Sequence, residues 1–308
     1  MILTVTANPA IDKVYFVDEF IMGNVYRPKN MTATAGGKGL NVSRVASILG
    51  ESVTAMGFLG GNTGDCVREQ VRKIGITESF TQTKGETRIC INISDKFGKS
   101  GEILESGPTI SPEERNVFIE TFKKNIDLCD IVCVSGSLPK GIDSSFYCDI
   151  VDLCKEKNKP VIVDTSGTTL QEVLEKAPFL IKPNCDELTQ LTGKVPESID
   201  DIKEFLNFLK LKGVELPLVT LGKNGAVALI ENKYYHFAVP KIDIKNSVGS
   251  GDSTVAGIAT AICRGYSYVE AIRFGMSVGV TNTQFEQTGM VTKELVEKYY
   301  KAITVNEI

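Results

Sequence analysis

Residues 247–257 read Ser-Val-Gly-Ser-Gly-Asp-Ser-Thr-Val-Ala-Gly. Gly249 and Gly251 bracket Ser250 and lead straight into a carboxylate, Asp252. Behind them Val255, Ile258, Ala259 and Ile262 recur at i, i+3, i+4, i+7, the spacing of one buried helix face. Arg264 and Gly265 supply a helix stop. The glycines therefore sit in a loop that opens a helix. Backbone N–H groups there lack intrahelical partners, and the helix dipole favours negative charge, so a phosphoryl group can be held closely. A carboxylate beside it can accept a proton from an attacking hydroxyl. The pair points to phosphoryl transfer from a nucleotide to a sugar alcohol. The same residues also fit a plainer arrangement, with Asp252 an N-cap and the glycines a turn. Two commoner nucleotide devices do not fit. A dinucleotide fingerprint begun at Gly249 needs glycine where Thr254 stands, and a P-loop ending in Gly98-Lys99-Ser100 needs glycine where Ile93 stands.

Five further stretches carry chemistry or a turn. Residues 35–44, Ala-Gly-Gly-Lys-Gly-Leu-Asn-Val-Ser-Arg, place three glycines around Lys38 at another helix start. They read as a substrate pocket, with Asn41 bonding hydroxyls and Lys38 open to a phosphate, or as a glycine turn with a surface lysine. Asp12 follows Asn8-Pro9-Ala10 at the carboxyl end of the first strand, where ligands bind in open α/β sheets. It can hold two sugar hydroxyls or be a solvated loop acid. Lys182-Pro183-Asn184-Cys185-Asp186-Glu187 suits a Mg²⁺–phosphate site, through Asn184 and Glu187, and equally a capping box at N-cap and N3. Thr220-Leu221-Gly222-Lys223-Asn224-Gly225 reads first as a hairpin turn and second as a nucleotide-facing loop. Ser135-Gly136-Ser137 ends another apolar run and either lines a pocket or forms an ordinary loop.

The elements that must position these residues are legible as a rhythm. Short apolar runs at Ile2 to Val5, Ile131 to Val134, Val161 to Val163, Phe179 to Ile181 and Leu218 to Leu221 predict buried parallel strands. Helical patterns at about 38–49, 64–74, 112–126, 144–157, 168–176, 186–192 and 199–212 lie between them. Such alternation predicts an α/β sheet with helices on both faces. Residues 13–34, rich in β-formers, and the strict alternation over 86–93 fall outside this rhythm. They predict a small separate sheet, a lid that excludes water, whose second apolar face needs cover from another subunit.

The 308 residues include 34 Lys and Arg against 38 Asp and Glu, a net charge of 34 − 38 = −4. No basic cluster suggests nucleic acid or an anionic membrane. Met-Ile-Leu-Thr-Val-Thr-Ala at the start has no basic region and no long apolar run, so no export signal is expected. Eight cysteines lack any CxxC pair, and the one histidine, His236, reads as structural, so zinc is not expected. Thiols within apolar runs predict a reducing, cytoplasmic setting.

Taken in order, Asn-Pro-Ala-Ile-Asp, Gly-Gly-Lys-Gly-Leu-Asn-Val-Ser-Arg, Lys-Pro-Asn-Cys-Asp-Glu and Gly-Ser-Gly-Asp-Ser resemble the ribokinase-like carbohydrate kinases, the PfkB family, across essentially the whole chain. Asn8-Pro9, Asn41-Val42-Ser43-Arg44 and Ser137-Leu138-Pro139 look like the branch acting on phosphorylated ketohexoses. The resemblance implies a single ribokinase-like domain over 1–308, a three-layer sandwich with lid segments at about 13–34 and 86–107. It implies Asp252 as base and Gly249, Ser250 and Gly251 as anion hole. Asp12, Gly37 and Asn41 would bind the sugar. Lys38, Arg88 and Ser137 would contact the substrate's own phosphate, with Arg27 helping across a dimer of lid sheets. Lys182, Asn184, Thr220, Gly222 and Gly225 would serve ATP, and Glu187 with Asn184 would serve Mg²⁺, partly through water. Dependence on a monovalent cation is left open. Gly85-Glu86-Thr87-Arg88, Leu104-Glu105-Ser106-Gly107-Pro108 and the 282–289 stretch lean toward tagatose 6-phosphate as acceptor, with fructose 1-phosphate as the alternative and a non-catalytic sensor as a remote one.

Overall fold

Each apolar run becomes a strand of one large sheet in the computed structural model, which describes residues 1–28, 30–97 and 100–308. Position 29 of the first lid segment and Gly98-Lys99 of the second lie outside the described residues. The chain opens with β1 (Ile2–Thr6), β2 (Ala10–Val17), β3 (Asn30–Gly36) and α1 (Lys38–Leu49). Then come β4 (Val53–Leu59), α2 (Gly61–Lys73), β5 (Thr77–Glu78), β6 (Thr81–Gln82), β7 (Arg88–Asp95) and β8 (Ser100–Leu104). The middle alternates through α3 (Pro112–Ile126), β9 (Ile131–Ser135), α4 (Ser145–Glu156), β10 (Val161–Asp164), α5 (Gly167–Leu174), β11 (Leu180–Ile181), α6 (Cys185–Thr192), α7 (Ile199–Leu211) and β12 (Leu216–Thr220). A hairpin, β13 (Ala226–Ile230) and β14 (Lys233–Ala238), precedes α8 (Ser250–Cys263), α9 (Tyr268–Asn282), α10 (Lys293–Ala302) and β15 (Thr304–Glu307).

The large sheet runs β15-β14-β13-β12-β11-β10-β9-β1-β4-β5, with β6 also beside β4. From β12 to β5 every pairing is parallel, with Ile2 opposite both Val53 and Ile131. β13 to β15 add an antiparallel edge. Successive side chains of a strand face opposite sides, and here they feed two cores. Ile131 and Cys133 join Leu40, Val45, Val255 and Ile258 of α1 and α8. Val132 and Val134 join Phe118, Phe146 and Leu206 of α3, α4 and α7. The result is the expected three-layer sandwich. Phe146 is fully buried and touches Phe58 and Phe118, so Phe146→Ala would cost about 3–5 kcal/mol.

α8 and α9 meet backbone to backbone. A Cβ on Gly257 would lie 2.7 Å from Gly275 Cα, and one on Gly279 would lie 2.9 Å from the Ser250 carbonyl. No larger residue allows that approach, and it fixes the first turn of α8 in place.

The small sheet is four-stranded, in the order β3-β2-β7-β8. β2 pairs parallel with β7, so Asp12 stands opposite Cys90 and Ala10 opposite Arg88. Asp12 therefore comes from inside the small sheet, not from a loop at the end of the first strand. Sequence placed it one element too early because Asn8-Pro9 looks like a strand end, whereas the next strand begins at Ala10. On the opposite face, Ile91 pairs Ile103 and Tyr15 pairs Met31; Ile103 is 60% exposed and Met31 51%, so the apolar second face is present and open. No helix among the described residues is long and apolar enough to cross a membrane.

Candidate active site

The carboxyl ends of β1, β9, β10, β11 and β12 share one edge of the sheet, and many but not all of the expected residues gather there. α8 begins at Gly249, whose φ of 78° is left-handed and whose position has no side-chain cap. A Cβ there would be 2.5 Å from Thr288 Cγ2. Asp252 is the third helical residue, not the N-cap; its carboxylate turns away from its own backbone and accepts a 2.8 Å bond from Asn41 Nδ2. It is 6% exposed. Burial first, then the neighbouring Asp164 carboxylate, push its pKa up to about 6, while Asn41, Lys38 and Lys182 pull it down.

α1 brings the second glycine loop alongside. Its N-cap Gly37 has φ 106° and no side-chain cap. The Asp12 carboxylate occupies the space a Cβ on Gly36 would need, and Gly37 N–H bonds it. Burial raises the Asp12 pKa, opposed by Arg88 and Arg44. The Arg88 guanidinium donates to the Asn8 carbonyl at 2.9 and 3.2 Å and to the Glu105 carbonyl at 3.1 Å, which ties β7 to both flanking loops. Those three bonds leave two of its N–H donors for an anion.

Two lysines converge on a carboxylate that sequence reasoning missed. Asp164, 3% exposed at the end of β10, has one oxygen 3.9 Å from Lys38 Nζ and 3.6 Å from Lys182 Nζ. Asp164 is the main reason the Lys38 pKa is raised. Lys182 Nζ also lies 3.1 Å from where a Cβ on Gly251 would be, directly over the first turn of α8. The signal for Asp164 was available: an acid closing the apolar run Val161-Ile162-Val163 at a strand's carboxyl end. Arg44, Asn282 and Thr288 were likewise unseen as a unit. Asn282 bonds the Val248 carbonyl and the Gly289 N–H, lacing the 282–289 segment to the glycine loop.

At α6 the capping reading of the sequence is realised. Asn184 and Glu187 form a complete capping box, with bonds of 2.8 and 3.0 Å. The other Glu187 oxygen faces Lys38 at 3.9 Å. No group of three or more His, Cys, Asp or Glu among the described residues is placed to hold a metal. A Mg²⁺ ion fits this edge only in the manner usual for nucleotide enzymes, with one or two protein oxygens and the rest from phosphate and water.

The remaining positions lie on two flanks. Thr220 bridges Asn184 at the end of β12, and Gly222 to Asn224 form a turn of 3-10 helix that Gly225 closes, the expected hairpin turn. Beside it, a cleft of about 400 Å³ is lined by Ile199, Leu221, Lys223, Asn224, His236, Ala238 and Val239. His236 bonds the Asn224 carbonyl at 2.9 Å, consistent with its structural reading. Ser137 is exposed after β9 and borders a second cleft with Thr165, Ser166 and Thr168. Arg27 stands apart, exposed between β2 and β3 with no bond to these groups among the described residues.

Residues 5–293, which include these groups, match the pfkB family carbohydrate kinases. The chain belongs to that family. It is a phosphotransferase with an alcohol group as acceptor. A tagatose-6-phosphate kinase of Staphylococcus epidermidis is 42% identical over 311 residues, covering 100% of both chains. A Thermotoga maritima structure described as a possible 1-phosphofructokinase superposes with a TM-score of 0.91 at 29% identity, covering 100% of this chain and 99% of that one. Phosphofructokinase-2 of Escherichia coli, solved with potassium, shares the fold with a TM-score of 0.90 at 24% identity, covering 97% of this chain and 98% of the other. As a pfkB family member, the chain has the ribokinase-like fold the sequence motifs imply.

Proposed function

We propose that this chain transfers the γ-phosphoryl group of ATP to a hydroxyl of tagatose 6-phosphate, giving the ketohexose 1,6-bisphosphate. The observation that carries the reading is Asp252: a buried carboxylate at the first turn of an uncapped helix, with a pKa near 6 and two lysines close by. The acceptor hydroxyl passes its proton to Asp252 as its oxygen attacks the γ-phosphorus, and ADP leaves. Backbone N–H groups of Gly249, Ser250 and Gly251, with Lys182 above them, face the charge that develops on the transferring group. Asp12, Gly37 and Asn41 hold sugar hydroxyls. Lys38, Arg88 and Ser137 receive the phosphate already on the sugar, with Arg27 reaching it from a partner's small sheet. Each charge-assisted contact contributes roughly 1.5–3 kcal/mol, enough to favour a phosphorylated over a free sugar strongly.

Lys182, Asn184, Thr220, Gly222 and Gly225 border the ATP path, and the cleft beside Leu221 and Val239 takes the base. Mg²⁺, when bound near Asn184 and Glu187, supplies charge neutralisation across the phosphates. The small sheet acts as the lid over the sugar, its second face covered in a homodimer. All eight cysteines are free thiols, which supports a cytoplasmic location. A second reading, fructose 1-phosphate as acceptor, draws on the Thermotoga maritima neighbour and uses the same residues.

ADP release coupled to a reporter, measured on a panel of sugars, tests the proposal. Tagatose 6-phosphate is expected to give the highest kcat/KM. Turnover of fructose 1-phosphate alone would favour the second reading, and equal kcat/KM for free and phosphorylated ketohexoses would remove the phosphate-binding roles.

A further inference from the structure

We propose that Arg44 is a positioning residue for phosphoryl transfer: its guanidinium orients the Asn41 amide so that the amide N–H₂ faces Asp252, and it fastens the sugar loop to the anion loop. The inference rests on the reading of Asp252 as general base and adds a residue to which that reading gives no role.

Arg44 lies three residues after Asn41, so both side chains leave the same face of α1. One terminal nitrogen of Arg44 donates to Asn41 Oδ1 at 3.0 Å and to the Thr288 carbonyl at 3.2 Å. The other donates to the Ala35 carbonyl, immediately before the Gly36-Gly37 loop. The fork is held against Gly289, where a Cβ would come within 2.8 Å of it. Thr288 in turn packs on Gly249, the N-cap of α8. One planar cation thus joins the loop under Asp12, the amide on Asp252 and the segment that braces the glycine anion loop.

An amide side chain has one accepting end and one donating end. Arg44 occupies the accepting end of Asn41, so only the donating end is left for Asp252. Without Arg44 the amide can turn over and set its oxygen against the carboxylate. Ionised Asp252 would then lose a donor, gain a repulsive neighbour and lose a nearby positive charge, all of which favour its protonated form. The other charged groups facing Asp252 are Lys38 from α1, Asp164 from β10 and Lys182 after β11, with Asp12 on the far side of Arg44. None of these replaces the amide's orientation.

The test is steady-state kinetics across about pH 5 to 9 for the wild type, Arg44→Met, Arg44→Lys and Asp252→Asn, each checked for folding by circular dichroism. For Arg44→Met, kcat is expected to fall about tenfold or more, with KM for ATP within about twofold. The acidic limb of its kcat profile is expected to move up by about half a pH unit or more. A purely structural role would lower stability without moving that limb. A folded Arg44→Met enzyme with an unmoved limb and near-wild-type kcat overturns the inference. If Arg44→Met does not fold, Arg44→Lys decides. It keeps the charge but loses the planar fork, so kcat is expected to fall several-fold, and wild-type kcat overturns the proposal. Asp252→Asn separates the two readings: if it stays active, the base assignment itself fails, whereas an inactive Asp252→Asn beside unaffected Arg44 variants removes the positioning role alone.

Discussion

α2 and α8 both begin on glycine without a side-chain cap, at Gly60 and Gly249, yet their open ends are used differently. At α2 the chain fills its own anion site. Glu86, from the segment before β7, accepts a 2.7 Å bond from Thr63 N–H, and its carboxylate occupies the space a Cβ on Gly61 would take. At α8 no side chain among the described residues caps the end, and Asp252 in its first turn bonds Asn41 instead. α3 and α7 are closed instead by complete boxes, Ser111 with Glu114 and Ser198 with Asp201. A good cap stabilises a helix by about 1 kcal/mol. The chain forgoes that at α8 and keeps its N–H groups directed at a spot where Asp252 and Lys182 meet. α2 shows what such an end does when a carboxylate is within reach, and in the proposed function α8 leaves the place to a phosphoryl group.

Asp252→Asn should break the α8 side of this comparison most severely. Loss of a general base costs about 10²–10⁴ in kcat. A mutant retaining more than about a third of wild-type kcat would refute the assignment. Because ionised Asp252 is needed, wild-type kcat should fall as pH drops through about 6, the value to which burial and Asp164 raise it. The linkage sign runs the other way for stability. A raised carboxylate pKa means that folding is favoured when the group is protonated, and the contribution is lost as pH rises through about 6. The neutral amide escapes that cost, so Asp252→Asn should melt higher than wild type at pH 8, by an amount on the order of 2–3 kcal/mol, and the difference should vanish toward pH 4. Since Asp252 does not cap α8, the substitution leaves the helix end itself unchanged.

Gly249→Ala sharpens the same contrast from the backbone. The residue needs φ 78°, and a methyl group would press on Thr288 Cγ2 at 2.5 Å. Displacing the loop should lower kcat about tenfold to a hundredfold and also lower the melting temperature. An alanine variant with both unchanged would mean that the loop does not hold the transferring group.

Between the two extremes stands α6, capped and yet facing the site. Glu187→Gln keeps a side-chain oxygen for the Asn184 N–H, so the capping box survives, while the charge is removed. The Mg²⁺ concentration needed for half-maximal rate should rise several-fold with KM for the sugar phosphate nearly constant. A loss of melting temperature with unchanged Mg²⁺ dependence would leave capping as the only role of this pair.

The parts legible in the sequence were those where local pattern and global position agree. α1 and α3 begin and end where their periodicity says, because one face is apolar and the starts carry glycine or a Ser-Pro signal. α9 gave no pattern: ten of its fifteen residues are buried and none is fully exposed, so no solvent-facing stripe marks a period, and Gly275 and Gly279 look like breakers although they serve close packing. β4 was hidden because Thr54 and Gly57 interrupt its apolar run, yet all seven of its residues are buried. In the site, each glycine-led motif was readable alone. What joins them was not: Asp164 at the end of β10 meets Lys38 of α1, Arg44 reaches Thr288 244 positions away and Asn282 reaches Val248 34 positions away, and residue type alone does not pair such partners.

The smallest expected effect lies on the α2 side, with Glu86→Gln. Backbone N–H bonds from Thr63 and Asn62 hold this exposed carboxylate below its ordinary pKa. A depressed carboxylate pKa adds stability above the unfolded value, about 4.3 for glutamate, and that gain is lost as pH falls through the lower folded value. Glu86→Gln should therefore melt slightly lower than wild type at pH 7, and the two should converge in acid. Its kcat and both Michaelis constants should stay within about twofold of wild type, since general-base and anion-hole losses are far larger. A large kinetic effect would show that α2's glycine end, like that of α8, serves the reaction, and the distinction between a self-filled and a ligand-filled helix start would collapse.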